Sequence, residues 1–157
     1  MFYVAVVVLT MLVLPIASVI VQHAAQPEIA LMTLIGRWFV FWGAGVRLML
    51  AGLRQSLQPR FTAREIFHME SDEALPLVRE LGVANIGIGI LGLTSLLAPS
   101  FVLPAAIYAA IFYGFAGIAH TREKQRSFNE TLAMTSDLFI ALVFCLFVAW
   151  AVAAQYR

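Results

Sequence analysis

The chain has 157 residues, of which 62% are hydrophobic and only 12% are charged, and its net charge at pH 7 is +1. This composition is far more apolar than that of a soluble domain of the same length, and the small net charge without a long basic run argues against a nucleic-acid partner. The single cysteine, Cys145, excludes an internal disulfide and a CxxC redox motif. We therefore predict an all-α integral membrane protein.

Five apolar runs are each long enough to cross a bilayer, which takes ~20 residues of α-helix. They predict spans over about residues 2–22, 30–53, 76–98, 101–119 and 132–154. Pro15 predicts a kink in the first span. A cleaved signal peptide is the rival interpretation of that run, but no Lys or Arg precedes it and the cleavage pattern near Ala24 is poor. The spans fill nearly the whole chain, so we expect one domain, a compact bundle of about five helices.

Two of the connections contain helix-start signals. Thr62 and Glu65 have the spacing of a capping box, with Phe61 and Ile66 placed as a hydrophobic staple, which predicts a short interfacial helix over about 63–69. The Ser127-x-x-Glu130 pattern is a second capping box and predicts the start of the last helix near 128.

The basic residues predict the orientation. In a five-span chain the basic residues of the connections and helix ends fall on one side, which should be cytoplasmic, with the exception of Arg157. Those on the cytoplasmic side are Arg54, Arg60, Arg64, Arg79, Arg122, Lys124 and Arg126. The expected location is a bacterial inner membrane, with the N-terminus in the cytoplasm and the C-terminus outside. Expected partners are the lipid bilayer and a homo-oligomer or larger membrane complex.

Small residues form stripes on the third and fourth spans. Gly82, Asn85, Gly89 and Gly92 share one face of the third span, and Ala106, Ala110, Gly114 and Gly117 share one face of the fourth. Such stripes allow two helix backbones to approach closely. We expect these two helices to pack together, with Asn85 donating or accepting an interhelical hydrogen bond.

Ionisable residues at membrane depth are candidates for function. Arg47 and Asp137 lie at similar depths and predict a buried ion pair that holds two helices in register. Glu80, His120 and Asp137 approach one membrane face, where His68 can join them. Such a cluster can relay protons, bind a divalent metal or hold a polar headgroup, although a solvated rim is the simpler interpretation. Haem ligation is disfavoured because His68 lies in a connection and no CxxCH motif occurs.

Four segments carry a resemblance to a family. GLRQSLQPRFTAREIF, LVRELGVANIGIGILGL, FYGFAGIAH and FNETLAMTSDLF, spanning about Gly52 to Phe139, resemble a domain-of-unknown-function family of small multi-span bacterial membrane proteins. The most specific part is RELGxxN, followed by a His at the end of the next span. In size and span number the chain is loosely similar to DoxX-like membrane proteins, some of which are linked to quinone or sulfur metabolism, but this likeness transfers no activity. The resemblance implies a candidate site at Glu80, Asn85, Gly89, His120, Asn129 and Asp137.

No GxSxG, HExxH, GxGxxG or P-loop motif occurs in the chain, so no familiar enzyme class is indicated. We predict an accessory or binding protein with a cytoplasm-facing polar pocket for a partner, a lipid or a small amphipathic ligand. The alternatives are a membrane enzyme or redox component acting on a quinone or lipid, with His120 as acid or base, and a proton-coupled or ion transporter. No metal or cofactor is assigned; the predicted ligand-binding residues are Glu80, Asn85, His120, Asp137, Arg47 and Asn129.

Overall fold

The computed structural model describes residues 2–67, 69–123 and 127–155 of the chain. His68, predicted to join the polar cluster, and Lys124, Arg126 and Arg157, used to predict orientation, lie outside these ranges. The protein is 88% helical, with no strand in the described residues, and five helices are long and apolar enough to span a membrane. They are α1 (Tyr3–Ala25), α2 (Leu31–Leu57), α3 (Asp72–Thr94), α4 (Pro99–Thr121) and α5 (Phe128–Ala154). The predicted fold class is confirmed.

Consecutive helices run antiparallel, so the connections between them lie alternately at the two ends of the bundle. The start of α1, the connection from 58 to 71 and the connection between α4 and α5 lie at one end, which we call the cavity end. The short turns at 26–30 and 95–98 lie at the other, which we call the closed end. Large apolar side chains such as Val21, Phe115 and Leu142 are exposed on the outside of the bundle, as expected for a surface that faces lipid.

Helices α1 and α2 each contain a wider turn in which a backbone N–H bonds five residues back. In α1 the Leu14 N–H donates to the Leu9 carbonyl, directly before Pro15, whose ring cannot donate and crowds the preceding turn. In α2 the Arg47 N–H donates to the Trp42 carbonyl. Such insertions re-aim the side chains that follow them, and Arg47 is the first residue after the wide turn in α2.

Helices α2 and α3 approach each other through glycines along their whole length. A Cβ atom placed on Gly89 would lie 2.8 Å from the Met49 backbone nitrogen, and one placed on Gly45 would lie 2.8 Å from the Leu93 backbone nitrogen. Only residues without a side chain permit this backbone contact. The expectation that the α3 stripe packs on α4 is wrong, because the glycines that complement it are on α2.

The small residues of α4 pack on α5 instead. A Cβ on Gly117 would meet the Leu138 side chain, and Gly114 faces Ala141. The centre of the bundle between these helices and α2 is filled by Phe144, Ile140 and Val40, all with no exposed surface. The α3–α4 turn is short, yet each of these helices finds its main partner elsewhere.

The helix in the long connection begins earlier than predicted. Pro59 takes the first helical position, where its missing N–H costs nothing, and the helix covers Pro59–Phe61 and the wider turn Thr62–Ile66. Thr62 lies inside it with helical backbone angles and makes no capping hydrogen bond, so the capping box predicted there is wrong. The second capping box is confirmed: Glu130 N–H donates to the Ser127 hydroxyl at 3.2 Å, and Ser127 N–H donates to the Glu130 carboxylate at 2.7 Å.

Candidate functional site

A cavity of about 500 Å³ opens within the cavity end of the bundle. All five helices and the connecting helix contribute to its wall. Its polar and charged lining residues are Tyr3, Arg47, Arg54, Gln55, Gln58, Thr62, Asn85, Tyr113, His120 and Asp137. This volume falls within the range of small-molecule sites, ~300–1,000 Å³.

The deepest polar groups lie well inside the membrane-spanning part. Arg47 is ten residues before the end of α2 and Asp137 is nine residues after the start of α5. At ~1.5 Å per residue both backbones lie roughly 14–15 Å along their helices from the cavity end, about half of a ~30 Å hydrocarbon core. The cavity therefore brings charged groups to a depth where water does not normally solvate them.

Arg47 and Asp137 share the cavity, but they do not form the predicted ion pair. Within the described residues, the ion pairs join Arg60 and Arg64 to Asp72, on the exposed surface of the connection. Arg47 instead lies 5.8 Å from the centre of the Tyr3 ring and acts on Asp137 only through space. Asp137 is 8% exposed, so its carboxylate is buried at the cavity wall with no described cation in contact.

Asn85 and Gln55 form the interhelical hydrogen bond of this region. Asn85 Nδ2 donates to Gln55 Oε1 at 2.8 Å, which ties α3 to α2 beside the cavity. The other half of the amide, Asn85 Oδ1, is buried and has no hydrogen-bond partner among the described residues. A buried acceptor without a partner costs free energy, so its place in a cavity wall marks a position where a ligand donor would be stabilised.

Tyr113 closes the inner wall of the cavity. Its hydroxyl donates to the Gly43 carbonyl at 2.7 Å, across from α4 to the wide turn of α2. The residue is 2% exposed, so this hydrogen bond is made in a dry environment. It holds α4 against α2 just beyond the polar part of the cavity.

Arg54 lies nearer the mouth, beneath the connecting helix. Its guanidinium carbon is 3.4 Å from the centre of the Phe61 ring, a stacked cation–π contact. Arg54 Nε is buried and has no hydrogen-bond partner in the described part of the chain. The connecting helix thus covers the cavity and holds the guanidinium plane against one wall.

The rim of the cavity is apolar. Leu50, Leu53 and Leu57 of α2 line it and are also exposed on the outside of the bundle, as is Phe67 after the connecting helix. The rim of the cavity therefore presents apolar side chains next to a wall that contains polar and charged residues.

The structure distributes the six predicted site residues over three places. Arg47, Asn85, His120 and Asp137 line the cavity. Glu80 is exposed and does not line it. Asn129 borders a separate shallow depression between α1 and α5, beside Val4 and Phe128. In the described residues no three His, Cys, Asp or Glu side chains converge as a metal site would require.

Three important lining residues were not predicted: Arg54, Gln55 and Tyr113. Arg54 follows Arg47 by seven residues, two helical turns, so the pair shares one face of α2, and this spacing could have identified it. Gln55 and Tyr113 have no comparable signal, because their roles depend on which helices become neighbours.

The fold and the cavity define the class: a multi-span α-helical membrane protein with a cavity inside its bundle whose wall contains polar and charged residues. The chain belongs to a family described as "Family of unknown function (DUF6790)", whose model matches residues 2–157. No curated protein and no solved structure matches the chain.

Proposed function

We propose that this protein binds an amphipathic ligand in the cavity, with the polar part of the ligand inside and its apolar part toward the lipid. The proposal depends on one combination of features: Asn85 Oδ1 and Arg54 Nε are buried without a hydrogen-bond partner among the described residues, and exposed leucines form the rim of the cavity. Buried polar atoms are costly in a membrane unless something satisfies them.

The proposed setting is a bacterial inner membrane with the cavity end facing the cytoplasm. The described basic residues at the cavity end support this orientation: Arg60, Arg64 and Arg122 in the connections and Arg79 near the start of α3 are exposed there. Excess Lys and Arg in short connections favours the cytoplasmic side. The ligand would then enter from the inner leaflet or the cytoplasm.

Filling the cavity tests this function directly. Ala116 lines the cavity, whereas Ala119, one turn later in α4, is exposed and does not. Ala116→Phe should remove a co-purifying small molecule from the protein in mild detergent, and Ala119→Phe should retain it, both measured by native mass spectrometry. Equal retention of the small molecule in the two variants would place its binding outside the cavity and sink the proposal.

A membrane enzyme acting on a quinone or lipid is the second candidate. His120 and Asp137 line the same cavity, which is the observation in its favour, since an imidazole and a carboxylate are the usual partners in proton transfer. His120→Ala would abolish turnover of the ligand identified above if the protein is an enzyme. If the wild-type protein binds the ligand and forms no product from it, the enzyme role is excluded.

A further inference from the structure

Arg54 differs from the other cation of the cavity in its electrostatic surroundings. Arg47 lies deep in the cavity, whose wall it shares with the carboxyl group of Asp137. Arg54 makes no ion pair with any residue that the structure describes, and its Nε is buried without a partner. Among the described residues of the cavity wall, Arg54 is therefore a guanidinium without an ion-pair partner.

The position of Arg54 along α2 suits a headgroup. It lies three residues before the end of the helix, roughly 4–5 Å at ~1.5 Å per residue, whereas Arg47 is about 10 Å deeper. Leu50, Arg54 and Leu57 are spaced four and three residues apart, so the two exposed leucines flank the guanidinium on one helix face. An acyl chain lying on this stripe would bring its polar end to Arg54.

Phe61 fixes the orientation of the Arg54 guanidinium in a way that suits binding of an anion. Stacking at 3.4 Å holds the plane in one orientation while leaving the N–H groups at its edge available. Those donors match the oxygens of a carboxylate or phosphate in a two-point geometry that a lysine ammonium cannot reproduce. A planar donor group fixed in advance loses less side-chain entropy when the anion binds.

From these observations we infer that the ligand is an anionic amphiphile, and that its carboxylate or phosphate group binds Arg54 beneath Phe61 while its acyl chain follows Leu50 and Leu57. This inference rests on the proposed function and adds the charge and the binding position of the headgroup. The same chemistry is offered by a free fatty acid and by an anionic phospholipid.

The test compares charged and neutral probes of equal chain length on the full-length protein. After delipidation in a non-ionic detergent, binding of hexadecanoate, hexadecanol, phosphatidylglycerol and diacylglycerol is titrated by native mass spectrometry. We expect each anionic probe that binds to be preferred over its neutral counterpart by about tenfold or more, as for a hydrogen bond to a charged group. Whether hexadecanoate or phosphatidylglycerol binds more tightly identifies the source of the anion.

Substitutions test whether Arg54 is the residue that causes the preference for anionic probes. Arg54→Gln should remove the preference for the anion while hexadecanol binding persists, and Arg54→Lys should restore only part of it because the planar two-point geometry is lost. Arg79→Gln is the matched control, since Arg79 is exposed on α3 and does not line the cavity. It should leave the preference unchanged.

The outcomes separate the two proposals. Binding of neutral and anionic probes with equal affinity by the wild-type protein overturns the inference and leaves the proposed function standing, whether or not the variants fold. An anion preference that survives Arg54→Gln also overturns it. Failure of all four probes to bind the wild-type protein removes the proposed function, and the inference with it.

Discussion

The closed end and the cavity end of the bundle differ in how completely their polar side chains are hydrogen-bonded. At the closed end, Trp42 Nε1 donates to the Ser18 hydroxyl at 3.0 Å, and Trp38 Nε1 donates to Gln22 Oε1 at 2.7 Å. At the cavity end lie the buried side-chain atoms without a partner in the described chain, namely Arg47 Nε, Arg54 Nε, Ser56 Oγ and Asn85 Oδ1.

This difference distinguishes the helix packing, which is common to both ends, from the unpaired polar atoms, which occur at one end. Both ends use the same helices, and the glycine contact between α2 and α3 continues through both. Unpaired polar atoms therefore do not follow from loose helix packing. They are concentrated where the bundle opens, and three of the four belong to residues that line the cavity, where binding of a ligand could satisfy them; Ser56 does not line it.

The largest expected effect comes from breaking the glycine contact near the closed end. A Cβ on Gly92 would lie 2.6 Å from the Gly45 Cα, and neither backbone can move without separating α2 from α3. Gly92→Ala should lower the free energy of unfolding by on the order of 1–3 kcal/mol, the typical cost of overpacking. SDS-induced unfolding in mixed micelles, followed by circular dichroism, measures it.

Gly87 is the matched control on the same helix. No described atom beyond the neighbouring residues and backbone of its own helix lies within 4 Å of a Cβ placed there, so Gly87→Ala should be neutral or should stabilise α3 by up to about 1 kcal/mol through helix propensity. Equal destabilisation by the two alanines would mean that the close approach of α2 and α3 does not govern stability.

A second, intermediate change in stability is expected from comparing a serine that accepts a hydrogen bond with a serine that has no partner in the described residues. Ser18→Ala leaves the Trp42 indole N–H without its acceptor and should cost about 1 kcal/mol. Ser56→Ala removes a buried hydroxyl that has no partner in the described residues, so stability should stay the same or rise by up to about 1 kcal/mol. The comparison of the two ends fails if Ser56→Ala is the more destabilising change in the same unfolding assay.

The smallest expected change in stability concerns the hydrogen bond that the Tyr113 hydroxyl makes beside the cavity. Tyr113→Phe removes its hydrogen bond to the Gly43 carbonyl and should cost roughly 0.6 kcal/mol, the average for an interhelical hydrogen bond in a membrane. The cost is lower than for Ser18→Ala because a helical carbonyl can keep a backbone partner.

Tyr108 supplies the control for this change. It is exposed one and a half turns earlier on α4, where its ring stacks on Phe112 and its hydroxyl makes no hydrogen bond with the described residues. Tyr108→Phe keeps the stacking and should leave the unfolding midpoint unchanged. A loss equal to that of Tyr113→Phe would show that the Gly43 contact contributes nothing.

Local signals predicted local structure well where they acted alone. Ser127 and Glu130 form the reciprocal cap that their spacing indicates, because both partners lie within one helical turn. The similar Thr62 pattern misled because Pro59, three residues earlier, is an even better helix start. When two possible helix starts lie this close together, neither pattern alone shows which one the chain uses.

The candidate site was only partly predictable for a different reason. Arg47, Asn85, His120 and Asp137 stand out as polar residues in apolar runs, and all four line the cavity. Glu80 also stood out, yet it is exposed, because its rotation on α3 places it away from the face occupied by Asn85.

By itself, the sequence determined that this chain forms five membrane-spanning helices, since length and apolarity suffice to specify a helix in lipid, where every backbone polar group must be bonded internally. The tertiary structure decided which helices are neighbours. The α3 glycines pack on α2 rather than on α4, Asn85 bonds Gln55, and Arg47 stands apart from Asp137. These choices depend on complementary surfaces brought together from distant parts of the chain, and no single apolar run contains that information.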